Sequence, residues 1–326
     1  AGNAQAAATV ANAEDAKVQL TAEVANNYVN LREAQFRADQ YRTQIKLQEE
    51  ILALTYQRYQ QGALPLFPVG NANAELEVLK SQFAEAEADI AVLLDALAIL
   101  SGRIPGSTAE DLSTPRDIPL PPDQVTVGDP ASLFARRPDI RAAERTLAAA
   151  TARIGVAEAA RFPKLSFMGI LGLGGSSPDD IFDVGELSAL AIPRLEWNFL
   201  DFGRVDASVD RAGAVRDEAV ANYRQTVLSA LQDAERALAR FGQQRVALAA
   251  TAQIKSQADS AADLNRQRFA AGAISRADLN LALRDKQQAS ADLVRTKAAL
   301  TLAWIALQKS LGLGWQEPAE GAVAAP

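Results

Sequence analysis

The 326-residue sequence contains no cysteine and no histidine, and only one methionine. Without cysteine there is no disulfide framework, thiolate metal site or thiol nucleophile. Without histidine the commonest general base and metal ligand is gone. No nucleophile–base or ligand constellation remains, so the expectation is a protein that is not an enzyme, with no metal and no cofactor. Aromatic residues reach only 6% although apolar residues make up 48%. Much of that share is alanine, a strong helix former and a poor core filler, which favours long helices packed through small side chains. Long hydrophobic runs are missing too. The longest, 90–100, carries Asp95 and falls short of the ~20 apolar residues a membrane helix needs. If the chain crosses a membrane, it must do so as a β-barrel. Basic blocks are also absent: 33 basic against 40 acidic side chains give a net charge of −7, which argues against nucleic acid as the main partner. Residues 1–20 show neither the basic nor the apolar region of a signal peptide.

What is present is an internal repeat. "LTYQRYQQGAL" at 54–64 matches "LNRQRFAAGAI" at 264–274 at a fixed offset of 210 residues. Arg58, Tyr59 and Gly62 fall on Arg268, Phe269 and Gly272; further on, Leu97 falls on Leu307 and Gly102 on Gly312. On this offset Ala1 corresponds to Arg211. The expectation is that the sequence begins inside its first repeat and lacks a counterpart of 129–210.

Periodicity predicts helices over 5–61, about 72–101, 139–160, 203–270 and 276–311. Between the first two, "LPLFPVG" at 64–70 reads as a break. "SGRIPG" opens a Pro-rich stretch running to Pro130. Pro138 and Asp139 suit a helix's first turn. From Val205 to Phe241 an apolar stripe advances with a mean step of 3.6 residues. Within 163–174 and 187–200 the period changes to two. Leu165, Phe167, Leu171 and Leu173 share one face of the first strand; Ala189, Ala191, Leu195, Trp197 and Phe199 share one face of the second. The two strands form a predicted β-hairpin long enough for a bilayer, which takes ~9–11 residues per strand. "GLGGSS" at 172–177 reads as a turn and "PDDIFD" at 178–183 as a solvated loop. At 1.5 Å per residue the 203–270 helix would be roughly 100 Å long and its return helix roughly 50 Å.

Three segments, "LFARRPDIRAAERTLAAATARIGVAEAARFPKLSF" at 133–167, "LEWNFLDFGRVDASVDRA" at 195–212 and the paired "RYQQGA" and "RFAAGA" tips, resemble the TolC-like outer-membrane factor family. The branch is that of lipoprotein channels paired with resistance-nodulation-division pumps. The resemblance implies a mainly α fold with a β-hairpin. Long antiparallel helical hairpins would form a trimeric α-barrel tunnel, with strands contributing to a twelve-stranded outer-membrane β-barrel. It divides the chain into first-repeat tunnel helices at 1–102 with a periplasmic tip near 62–70, and a Pro-rich equatorial connection at 103–138. A tunnel helix at 139–162 and a barrel hairpin at 163–202 follow. Second-repeat tunnel helices at 203–312, with a tip near 272, and a tail at 313–326 complete it. It implies an outer-membrane exit duct of a Gram-negative tripartite efflux pump, passing drugs, metals or other small molecules. The implied partners are a homotrimer, a periplasmic adaptor, an inner-membrane pump and outer-membrane lipid. A type I secretion outlet and a non-pore helical scaffold are the alternatives.

The resemblance also nominates residues. Asp278, six residues past Gly272, would line the pore constriction as one member of a threefold carboxylate ring. The other reading makes it a helix-start residue, because Ser275 and Asp278 have capping-box spacing. A further acidic position of some family members falls here on Leu281, and the first-repeat equivalent of Asp278 is Pro68. Arg58, Tyr59, Gly62, Arg268, Phe269 and Gly272 would meet the adaptor. Alternatively, they are glycine C-caps with arginine beside the negative helix end.

Overall fold

The computed structural model describes residues 1–122, 136–173, 187–197 and 200–313. Its elements are α1 (Gly2–Gln60), α2 (Phe67–Leu100), the short α3 (Ala109–Leu112), α4 (Pro138–Ala159), β1 (Lys164–Leu173), β2 (Leu187–Glu196), α5 (Arg204–Ala270) and α6 (Arg276–Ser310). Most of "GLGGSS", all of "PDDIFD", residues 123–135, Phe199 and the tail from 314 lie outside the described residues. Two compact units result. One is Ala1–Ala13 with Pro138–Leu228, the other Glu14–Arg137 with Ser229–Pro326.

In the second unit, four helix ends stop in the same way. Gly62, Gly102, Gly272 and Gly312 all have left-handed backbones, with φ of 70, 72, 69 and 64°. The Gly62 N–H donates to the Tyr59 carbonyl (2.9 Å) and the Ala63 N–H to the Arg58 carbonyl (3.0 Å). Gly272 and Ala273 repeat this on Phe269 (2.9 Å) and Arg268 (2.8 Å). Gly102 and Arg103 do so on Ile99 and Ala98, and Gly312 and Leu313 on Lys309 and Gln308. Each end is a Schellman cap, in which a left-handed residue turns the chain so that orphan carbonyls are satisfied. The offset of the repeat is thus an offset between helix stops. Leu97 and Leu307, one turn earlier, are both buried.

One boundary differs from the sequence expectation. The second helix begins at Phe67, not near 72, and takes in Pro68 and Gly70. Proline breaks a helix by lacking an N–H and by clashing one turn back. In the first turn neither penalty applies, so Pro68 starts the helix. Leu66 supplies no side-chain cap there.

Polar contacts join each helix pair. Between α1 and α2, Arg37 meets Asp89 at 2.9 Å, and the buried Gln48 donates to the Ala72 carbonyl at 2.9 Å. Between α5 and α6, Lys286 meets Asp259 at 3.2 Å, and Lys255 meets the same carboxylate. Both lysines hold the Asp259 carboxyl below its ordinary value, chiefly through the Lys255 hydrogen bond. The small core around Phe241, Leu300, Leu307 and Leu311 packs Phe241 on Trp304 with ring centroids 5.5 Å apart. The Val205–Phe241 stripe is only partly covered: Ala219, Ala230, Ala234 and Phe241 are buried, while Val215 and Leu238 are exposed.

The Pro-rich stretch is strapped down. Buried Arg32 donates to the carbonyls of Leu112 (3.2 Å) and Thr114 (2.7 Å), and Gln35 donates to Leu112 (2.7 Å). Thr301 on α6 donates to the Pro119 carbonyl at 2.8 Å. Beside the strap lies a cavity of about 700 Å³ lined by Tyr28, Leu97, Leu120, Trp304 and Ile305 among others. Arg137, of the "RRPD" motif, donates to the Ser310 carbonyl at 3.0 Å, on the last turn of α6. No described helix is long and apolar enough to cross a membrane.

A Cβ at Gly102 would meet nothing within 4 Å, whereas at Gly312 it would lie 3.1 Å from backbone atoms of Arg136 and Arg137. Alanine at Gly102 is therefore expected to cost about 1 kcal/mol, for the left-handed backbone alone. At Gly312 the overpacking is expected to add a further ~1–3 kcal/mol. Denaturant unfolding of the two variants checks this, and equal losses would contradict it.

Candidate functional site

The nominated residues cluster at two helix tips. Arg58 and Tyr59 close the last turn of α1, and Arg268 and Phe269 close that of α5. Each Arg side chain is exposed, and each main-chain carbonyl of the four accepts one of the Schellman bonds above. The conserved geometry of the stop explains glycine at both tips and leaves the arginine side chains free of that task. Arg276 lies over the Phe269 ring, 5.6 Å from its centroid. Among the described residues no hydrogen bond or ion pair joins the Arg58 set to the Arg268 set. An ion pair between the two hairpins joins Glu75 on α2 to Arg284 on α6, at 2.9 Å.

Asp278 is exposed in the first turn of α6. The capping box read from the sequence is present. The Asp278 N–H donates to Ser275 Oγ (3.2 Å), and the Asp278 carboxylate accepts from the Ser275 N–H (3.1 Å) and hydroxyl (2.7 Å). The Ser275 side-chain and backbone bonds hold the Asp278 carboxyl below its ordinary value, and Arg268 adds a smaller electrostatic pull in the same direction. An anion fixed at a helix N-terminus is also favoured by the dipole.

Beyond their common stop, the tips diverge. The second continues as Ser275, Arg276 and Asp278; the first continues as Pro65, Leu66, Phe67 and Pro68, with Leu66 and Phe67 exposed. The sequence reading treated this stretch as a break and missed the exposed pair. The placement of Pro68 one residue inside a helix was the available signal. It also missed Glu75 with Arg284 and Asp259 with Lys286. Those pairs join different helices and carry no sequence spacing.

The hairpin register sorts its side chains. Leu165 faces Leu195, Phe167 faces Pro193, Gly169 faces Ala191, Leu171 faces Ala189 and Leu173 faces Leu187. Opposite residues of an antiparallel pair share a face, so Leu165, Phe167, Gly169, Ala191, Pro193 and Leu195 form one apolar face. The other face begins with Lys164 opposite Glu196 and Ser166 opposite Arg194. The described sheet has two strands, so each has an unpaired edge, and a two-stranded sheet is marginal in water.

The capping geometry predicts a pH response. A carboxyl with a depressed folded pKa contributes stability above its unfolded pKa and loses it as pH falls through the folded value. The Asp278 cap is therefore expected to hold at neutral pH and fail only in acid, below the usual aspartate range. Ser275→Ala should move the Asp278 titration back up toward the ordinary value, read by NMR of the labelled carboxyl carbon. An unmoved titration would contradict the assignment.

Residues 130–313 match the family model described as outer membrane efflux protein. Nodulation protein T of Rhizobium leguminosarum bv. trifolii is 28% identical over 315 residues, covering 96% of this chain and 67% of that protein. The pyoverdine export outer membrane protein OpmQ of Pseudomonas aeruginosa is 32% identical over 311 residues, covering 94% and 64%. The solved outer-membrane channel OprN superposes with a TM-score of 0.79 at 32% identity, covering 97% of this chain and 71% of that one. The chain thus spans about two thirds of the length of the curated relatives it matches. Its mainly helical architecture with one antiparallel hairpin is that of TolC-like channels, and its place is the outer membrane. The chain belongs to the outer membrane efflux protein family.

Proposed function

We propose that the chain forms part of a passive outer-membrane exit duct of a tripartite efflux pump, working as a homotrimer. The observation that carries this reading is the hairpin. One face is apolar through the pairs Leu165–Leu195, Phe167–Pro193 and Gly169–Ala191, each strand has an unpaired edge among the described residues, and helices flank the hairpin in the chain. Closure with further strands satisfies those edges and leaves the apolar face to lipid. The helices suit a tunnel wall: buried positions are largely alanine, while large apolar residues such as Val92, Ile99, Val246 and Ile254 are exposed on the single chain. Further copies are the natural cover for such faces. Relatives carry names such as antibiotic, toluene or pyoverdine export components. The substrate class follows the inner-membrane pump, which this chain does not include.

In this reading the tips face the periplasm. Arg58, Tyr59, Gly62, Arg268, Phe269 and Gly272 meet the helical hairpins of a periplasmic adaptor, and Asp278 lines the constriction. The capping box and the ring are compatible, because the Ser275 bonds occupy one carboxylate oxygen and lower the pKa. That keeps the group charged when two symmetry copies approach. Repulsion among like charges on a narrow axis is offset by a bound cation. Pro68 takes the equivalent place in the first repeat, so one carboxylate ring is expected.

Two outcomes test the reading. In planar bilayers, Asp278→Ala in the full-length channel should raise conductance and weaken block by divalent or trivalent cations added on the periplasmic side. Unchanged conductance and block would leave Asp278 only its capping role. Valine at Gly62 or Gly272 forces a β-branched residue into a left-handed backbone. Efflux and adaptor crosslinking should fall even where the trimer persists. Wild-type resistance and crosslinking in both variants would remove the tips from the interface.

A further inference from the structure

No residue of the tips or the hairpin lines the cavity beside the Pro-rich strap. Its volume is about 700 Å³, within the ~300–1,000 Å³ typical of small-molecule sites. The lining comes from α1, the end of α2, the Pro-rich stretch and α6. Val29 and Leu97, both buried, form apolar wall with Leu120 and Ile305. Two aromatic residues join them, Tyr28 on α1 and Trp304 on α6.

The hydroxyls in that lining are already engaged. Thr21 donates to the Lys17 carbonyl at 2.8 Å and Ser101 to that of Leu97 at 2.8 Å. Thr108 donates to the Leu94 carbonyl at 2.9 Å and Thr301 to that of Pro119 at 2.8 Å. Arg103 and Asp111 pair with each other at 3.1 Å, which offsets their charges. Pro119, Pro121 and Pro122 bring no N–H to the wall. Among the described residues, the lining side-chain donors left over are the Tyr28 hydroxyl and the Trp304 indole N–H. Both are uncharged and both sit on rings. A buried water needs roughly two to four polar partners, and this lining offers few.

The rings themselves are held. The Arg32 guanidinium lies over the Tyr28 ring, 4.7 Å from its centroid, while it donates to the strap carbonyls of Leu112 and Thr114. Trp304 packs on Phe241. Rings fixed in advance lose little freedom when a ligand arrives.

We propose that this cavity is a binding site for a small, uncharged aromatic molecule. Tyr28 and Trp304 supply ring contacts, for which offset or edge-to-face packing is favourable. The apolar wall takes the rest of the ligand, and displacing poorly bonded water favours its entry. A charged ligand is disfavoured, because the lining has no free countercharge and burying an unpaired charge is costly. Once bound, the molecule bridges α1, the strap and α6, so it holds the strap in place.

The test uses full-length protein in lipid nanodiscs, labelled with 5-fluorotryptophan. The Trp304 fluorine resonance is assigned by its loss in Trp304→Phe. Naphthalene is expected to shift that resonance saturably. 1-Naphthalenesulfonate, the same ring system with a negative charge, is expected to leave it in place. An unmoved resonance would overturn the proposal, whether the space stays empty or a second copy of the chain fills it in the assembly. A shift that never saturates would reduce the effect to partition into lipid, and an equal response to the sulfonate would overturn the uncharged class. Ala25→Phe puts a ring into the same space and should abolish the shift; an undiminished shift in the assembled variant would place the ligand elsewhere. A second readout needs no variant. The Leu112 N–H donates to the Thr108 carbonyl at 3.1 Å, and both residues line the cavity. With naphthalene at ten times its Kd, amide exchange at Leu112 should slow about tenfold. Unchanged exchange would refute the claim that the ligand holds the strap.

Discussion

A helix has no internal reason to stop, and in this chain the stops decide nearly everything else. Each of the four Schellman glycines closes the last turn of a long helix. The distance from Gly62 to Gly102 equals that from Gly272 to Gly312, so the return helices of both repeats have the same reach. Equal reach lets Glu75 and Arg284 meet just past the two tips. It also brings the end of α6 to Arg137, whose guanidinium takes the last-turn carbonyl while Gly312 closes on the neighbouring backbone. The glycines are thus a length standard, and the motif around Arg137 is where one end of that standard is fastened.

The two repeats share that standard and differ in what they carry on it. The second tip resumes with a polar, fully capped helix start, the first with an uncapped start bearing Leu66 and Phe67. Duplication preserved the backbone because a left-handed stop tolerates little besides glycine. It did not preserve the residues just beyond, where exposure places few demands on side chains. A carboxylate at the second tip and proline at the first follow from that freedom.

Features governed by local rules were legible in the sequence. The helix stops, the capping box at Ser275 and the period-two hairpin each arise from residues within a few positions of one another. Leu165, Phe167, Ala191 and Leu195 share a face as expected, because alternation is a property of the strand itself. The start of α2 was misplaced because proline has opposite meanings inside a helix and in its first turn, and composition does not distinguish them. The stripe on α5 is real as a period, but its exposure at Val215 and Leu238 was not legible, since periodicity marks a face without saying which neighbour covers it. Contacts such as Arg32 with the Leu112 and Thr114 carbonyls depend on the path of a Pro-rich segment that has no period.

In the proposed duct, both helical tips and the hairpin gain their use from copies of the chain gathered around an axis. Double electron–electron resonance between spin labels at position 278 of the full-length protein in lipid tests this most directly. The account predicts one short distance, shared by three equivalent sites, at the narrow end of the assembly. Labels that are far apart, or that report no second spin at all, would contradict it.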